Sequence, residues 1–129
     1  MTDTQAMVDA AGGAHSTELT AAIDALRDCE QTCTSCSMAM VASGGMVTEV
    51  RRALDCADLC DAAERVLSRG PAADPKVISA AVQAAVVACE ASAAACGAHA
   101  EHHEHCRLHS TSAAACADAL RTLQKTFAG

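Results

Sequence analysis

The sequence predicts an all-α fold, an antiparallel up-down-up-down four-helix bundle. Three observations predict it. Alanine, the strongest helix former, supplies 32 of the 129 residues. Strand-type alternation of apolar and polar residues is absent. Glycine and proline cut the chain into four stretches of roughly 25 residues, each about 37 Å long as a helix. The short loops between them favour antiparallel neighbours.

The elements follow in order. Residues 1–15 are small and polar and read as a flexible segment or a short extra helix; residues 16–129 form a single bundle domain. The first long helix starts at Ser16, with Glu18 and Leu19 in its first turn, and ends at Ser43 before Gly44-Gly45. The second covers residues 46–69 and stops at Gly70-Pro71. The loop from Gly70 to Pro75 is the clearest break in the chain. Asp74 caps the third helix, with Pro75 at its first position. That helix continues to about residues 97–99, and the fourth runs over 101–127.

Composition narrows the function. Leu, Ile, Val and Phe number only 20, with one Phe and no Tyr or Trp. So few large hydrophobes would ordinarily flag disorder. The helical pattern says otherwise, so other residues must fill the core. The nine cysteines are the candidates. Their number is odd, which forbids complete internal pairing. The opening residues Met1 to Gln5 lack the basic and apolar regions of an export signal, which predicts a cytoplasmic protein with free thiols. No unbroken run of 18 apolar residues occurs, so no membrane span is expected. A net charge of −7 and the lack of aromatic stacking platforms argue against nucleic acid as a partner.

Helical spacing places the cysteines. Residues three and four apart share a face. The inward stripe of the first helix reads Leu19, Ala22, Leu26, Cys29, Cys33, Cys36, Met40; that of the second reads Met46, Glu49, Ala53, Cys56, Cys60, Ala63, Leu67. The third passes through Ile78, Val82, Ala85, Cys89, Ala93, Cys96 and on to His103. The fourth reads His102, Cys106, His109, Ala113, Cys116, Leu120, Leu123, Phe127. All nine cysteines fall on stripes that would otherwise be aliphatic core. One such cysteine is an ordinary small buried hydrophobe. Nine on four matching stripes point to metal. Soft thiolates and thioethers select soft ions, Cu(I) foremost.

The stripes are also uneven along the bundle. Leu19, Leu26, Leu67, Ile78, Val82, Leu120, Leu123 and Phe127 fill one end. The other carries Met38, Met40 and Met46 with His99, His102, His103, His105 and His109. The expected metal ligands are therefore Cys29, Cys33, Cys36, Cys56, Cys60, Cys89, Cys96, Cys106 and Cys116, joined by His109, His102, His103, Met40 and Met46. The His/Met end is the expected entry port. Because zinc also accepts cysteine and histidine, a zinc buffering or sensing module is the alternative. An enzyme would need a substrate pocket and acid–base partners, for which only Glu49 and the histidines offer themselves, so no catalysis is expected.

These motifs resemble those of the bacterial copper storage proteins. The matching pieces are Cys29-x3-Cys33-x2-Cys36, Cys56-x3-Cys60, Cys89 to Cys96, and His105-Cys106 leading to Cys116. They span residues 16–127, nearly the whole chain. The resemblance implies multiple Cu(I) ions held on thiolates inside the bundle and a homotetrameric assembly, and without an export signal it points to the cytosolic branch. Relatives commonly continue the last helix as Cys-x2-Cys-x3-Cys-x2-Cys. Here that register reads Cys106, His109, Ala113, Cys116, and Ala93 stands where the third helix has room for another cysteine. The thiol count is thus low for the family, and a smaller cluster with mixed Cys/His ligation is as arguable as a large store.

Overall fold

The computed structural model describes residues 3–128. Five α-helices follow one another: α1 Thr4–Ala11, α2 Ser16–Ser43, α3 Val47–Ser68, α4 Pro75–Gly97 and α5 Glu104–Ala128, with a single 3-10 turn at Gly70–Ala72. Among the described residues there is no strand. The four long helices form a ring in which α2 packs on α3, α3 on α4, α4 on α5 and α5 on α2. This is the expected four-helix bundle.

Local chemistry explains the boundaries. Gly44 adopts φ +77° and its N–H returns to the Met40 carbonyl at 2.9 Å, ending α2 in a conformation that a β-carbon would strain. The Asp74 carboxylate accepts from the Lys76 N–H at 2.9 Å, capping α4 with Pro75 in its first turn. Residues 3–15 include the short helix α1, whose first turn is capped by Asp3. It lies on α2, seated by Val8 and by Arg27, which reaches both the Thr4 hydroxyl and the Glu64 carboxylate.

Three expectations need correction. The last helix begins at Glu104, not near residue 101, because residues 98–103 spend their backbone bonds on a tight turn. His99 N–H bonds the Cys96 carbonyl, and His102 and His103 both return to the His99 carbonyl. His102 therefore leaves the inner stripe and points to solvent. Phe127 is not core: it is half exposed and meets the His15 ring edge-on. Of the adjacent pair on α4, Ser92 is wholly buried and Ala93 only partly covered.

The core divides as the stripes suggest. Leu26, Leu67, Val82, Leu120 and Leu123 fill one half, joined by Ile23, which lies next to the stripe of α2. Sulfur fills the other half. Among the described residues, α4 alone is long and apolar enough to cross a membrane, with a mean hydropathy of 1.6 over its best 18 residues. Its inward face nevertheless carries Val82, Ala85, Cys89, Ser92 and Cys96 into the bundle.

Candidate metal centre

All nine cysteines are buried and unpaired. They gather into two groups along the bundle axis. The deeper group joins Cys29 and Cys33 of α2, Cys56 and Cys60 of α3, Cys89 of α4 and Cys116 of α5. Cys29, Cys56, Cys60 and Cys89 place their four sulfurs within 4.8 Å of one another. Individual contacts are 3.7 Å for Cys29–Cys56, Cys56–Cys89 and Cys60–Cys89, and 3.9 Å for Cys56–Cys60. Cys33 extends the group 3.7 Å from Cys29, and Cys116 of α5 is buried in the same cluster.

The second group lies nearer the α2–α3 and α4–α5 turns. Cys36, Cys96 and Cys106 meet there with Met40 and Ala53, and Met46 and Val50 cover them. Two histidines enter it. His105 Nδ1 lies 3.1 Å from Cys36 Sγ and 3.6 Å from Cys106 Sγ. His109 is wholly buried and stands between the groups. Its Nδ1 is 3.2 Å from Cys96; its Nε2 is 3.2 Å from Cys33 and 2.7 Å from the Ser92 hydroxyl. One imidazole thus touches both groups of sulfur.

The structure places the other expected ligands more loosely. Met40 is wholly buried beside Cys36, and Met46 is half-buried. His103 is half-buried with its ring 5.2 Å from that of His105, whereas His102 joins no sulfur group. Met38 is exposed on the outer face. Glu49 reaches across the mouth to His99, with Oε1 3.4 Å from Nε2. Reading the stripes missed Ser92 as a partner of the site. Its signal was present, since Ser92 follows Cys89 by three and precedes Cys96 by four. His105 was legible only as one of a histidine cluster; its place beside Cys106 carries it to the edge of the inner face.

Electrostatics follow from crowding thiols away from water. Hydrogen bonds from Cys116, Cys33, Cys56 and Cys60 hold the Cys29 thiol far below its ordinary value. At Cys56 the bond to Cys29 opposes ionisation, but those from Cys33, Cys60 and Cys89 prevail and bring it down to about 5. The neighbours keep their protons. Bonds to Cys29 hold the Cys33 thiol high, and bonds led by that to Cys116 do the same at Cys60 and Cys89. Burial, then the nearby Cys106 charge, pushes Cys36 up to about 12. Burial likewise raises Cys96 and lowers His109, which stays neutral with a lone pair to offer. The centre is a hydrogen-bonded thiol array, ionised at Cys29 and Cys56 and protonated at their neighbours, and entering cations displace the remaining protons.

The sequence profile of the copper storage protein family matches residues 15–125. The chain belongs to that family. Its fold is similar to a copper storage protein from Streptomyces lividans loaded with 10 copper equivalents, at 30% identity and a TM-score of 0.87, covering 94% of this chain and 97% of that one. A cytosolic copper storage protein of the same organism, carrying five coppers, is 33% identical with a TM-score of 0.78 over 83% of this chain and 92% of the other. A variant of the Streptomyces protein with a histidine replaced by alanine is 32% identical with a TM-score of 0.81, covering 87% and 96%. No curated protein sequence matches the chain. This family member keeps the sulfur-lined bundle but holds Ser92, His109 and Ala113 at inner positions of the thiol half.

Proposed function

We propose that this protein takes up Cu(I) at the end bearing Met40, Met46, His103 and His105 and stores several ions in the cytoplasm on its interior thiolates. The observation that carries the reading is the deep sulfur tetrad. Cys29, Cys56, Cys60 and Cys89, from three different helices, converge within 4.8 Å in a fully buried site. Thiolates of this kind select Cu(I), and the cation's charge offsets the cost of burying each thiolate. A closed zinc site needs four ligands and no more. Here Cys33 abuts the tetrad and Cys116 is buried in the same cluster, an array suited to several bridged ions, so zinc buffering is not favoured. The histidines and Met46 near the mouth suit transfer, being exchangeable hosts beside the thiolates. The reading assigns no catalytic step to any residue. Family membership supports assembly as a homotetramer.

Anaerobic titration with Cu(I) against a competing chelator tests the reading. The wild type should bind several ions per chain, with ultraviolet Cu–thiolate absorption free of Trp and Tyr background. Replacing Cys29, Cys56, Cys60 and Cys89 with Ala should remove more than half of the uptake while helicity remains. Retention of most of the uptake would move the sites away from the deep group.

A further inference from the structure

The aliphatic end of the bundle is not filled to its base. Leu67 and Val82, each 2% exposed, line a cavity of about 690 Å3 there, together with Leu19, Ile78 and Phe127. Two loops complete the wall: residues 12–15 between α1 and α2, and Gly70, Pro71 and Ala73 between α3 and α4. The loops meet closely. Gly13 has φ +101°, and a β-carbon on it would stand 3.3 Å from Pro71 Cγ, so glycine is what lets one loop close on the other. The space is therefore a recess built by one chain, with a volume in the range that encloses small organic ligands. It has no part in the metal centre. Wholly buried Leu26, Leu120 and Leu123 stand between its lining and Cys29 and Cys116 along α2 and α5.

We infer that this cavity binds a small neutral amphiphile, its apolar body against Leu19, Leu67, Ile78 and Val82 and its hydrogen-bonding head toward Gln124 and Ser79. The lining selects both parts. No Asp, Glu, Lys or Arg lines the cavity, so an ionic head would give up water with no such charge to meet it. The polar side chains of the lining are His15, Ser79 and Gln124. Gln124 is half-buried and donates its amide N–H to the Gln83 side-chain oxygen at 2.8 Å, which leaves its own oxygen to accept from a ligand hydroxyl or amide. A strained residue guards the opening. Among the described residues His15 is the one non-glycine with positive φ, at 64°, and although it stands at the N-cap of α2 its side chain makes no capping bond. Such a conformation persists only where the surroundings impose it, and ligand clamps are among the places where it is found. Here it sets the imidazole edge-on to Phe127, with ring centroids 6.2 Å apart, and both rings line the cavity. Phe127, left half exposed by the fold, gains an apolar neighbour when the recess is filled.

Titration of the full copper-free chain with Nile red, an uncharged apolar dye, tests the site. The dye should bind saturably, one molecule per chain, with blue-shifted emission. Decanol, decanoate and decylammonium share one alkyl body and differ in the head. Decanol should displace the dye at concentrations lower than the two ionic competitors need by about tenfold or more. Ser79→Trp plugs the recess from an exposed position on α4, and Ala14→Trp plugs it from the loop. Each should weaken dye binding by about tenfold or more, with helicity and Cu(I) stoichiometry unchanged. Dye uptake that never saturates, or that both plugged variants retain, would overturn the site. Equal displacement by all three competitors would overturn the neutral head. Because the readout is dye emission and not copper, failure here leaves the storage reading untouched.

Discussion

Replacing His109 with Ala is the sharpest test of how the two sulfur groups are joined. The imidazole is wholly buried and bonds to Ser92 at 2.7 Å, with Cys33 and Cys96 each at 3.2 Å. Its removal strands the Ser92 hydroxyl in the core, a desolvation cost of about 1–3 kcal/mol. The vacated space adds a cavity cost, which large-to-small core changes put at about 2–5 kcal/mol. Water can enter a space lined by a hydroxyl and thiols and recover part of both. The net destabilisation of the copper-free protein is therefore about 3 kcal/mol. With an unfolding entropy of about 2.1 cal/mol/K per residue, the Tm falls by about 10 °C. Thermal melts followed by circular dichroism, anaerobic and under reductant, measure this. The same variant should bind fewer Cu(I) ions at equilibrium, because it lacks the imidazole whose two nitrogens face Cys33 and Cys96. A copper-free Tm within about 2 °C of wild type, together with a full copper complement, would refute the argument.

Two further outcomes follow from the site. Cys33, Cys36, Cys60, Cys89 and Cys96 all hold their protons above the ordinary thiol value of 9.0. A raised folded value gives stability that is complete below the unfolded value and lost as pH climbs past it. Cys29 and Cys56 are shifted the other way, but their contribution is complete once pH passes the unfolded value, so the copper-free Tm should fall as pH rises above about 9, and a Tm that holds or rises there would contradict the buried-thiol picture. At the mouth, Glu49→Ala removes the contact to His99 that ties α3 to the α4–α5 turn. Such a partly exposed pair is worth about 0.5–1 kcal/mol, so stopped-flow loading and chelator-driven unloading should each quicken about two- to fivefold at unchanged capacity. Slower loading would make Glu49 and His99 way stations for the ion instead of a latch.

Much of this architecture is legible in the chain because helical periodicity is a local rule. The span of α2, from about Ser16 to Ser43, was readable, and Asp74-Pro75 announced α4, since caps and glycines act on the backbone beside them. The inward direction of each cysteine also followed from spacing alone. What spacing does not fix is the rotation of one helix against the next. Ser92 and Ala93 are adjacent, and the choice between them depends on where α5 brings His109. The His-rich turn failed for a different reason. A periodic stripe extends smoothly through residues 98–103 on paper, whereas the backbone there closes several short turns and carries His102 outward. Phe127 escaped because spacing does not show that its ring, in the last turn of α5, stays half exposed against His15.

Ala53, Ala63 and Ala113 sit fully enclosed on the same inner stripes as the thiols, at the same register steps. The bundle is thus a ladder whose rungs are interchangeable: at each step the backbone accepts either a methyl group or a methyl group bearing one sulfur. Cargo space can grow or shrink one residue at a time without redrawing a loop, moving a helix or disturbing the leucine-filled base. A lineage facing scarce metal could trade rungs for tighter packing, and one facing excess could trade them back, while the scaffold stays the same.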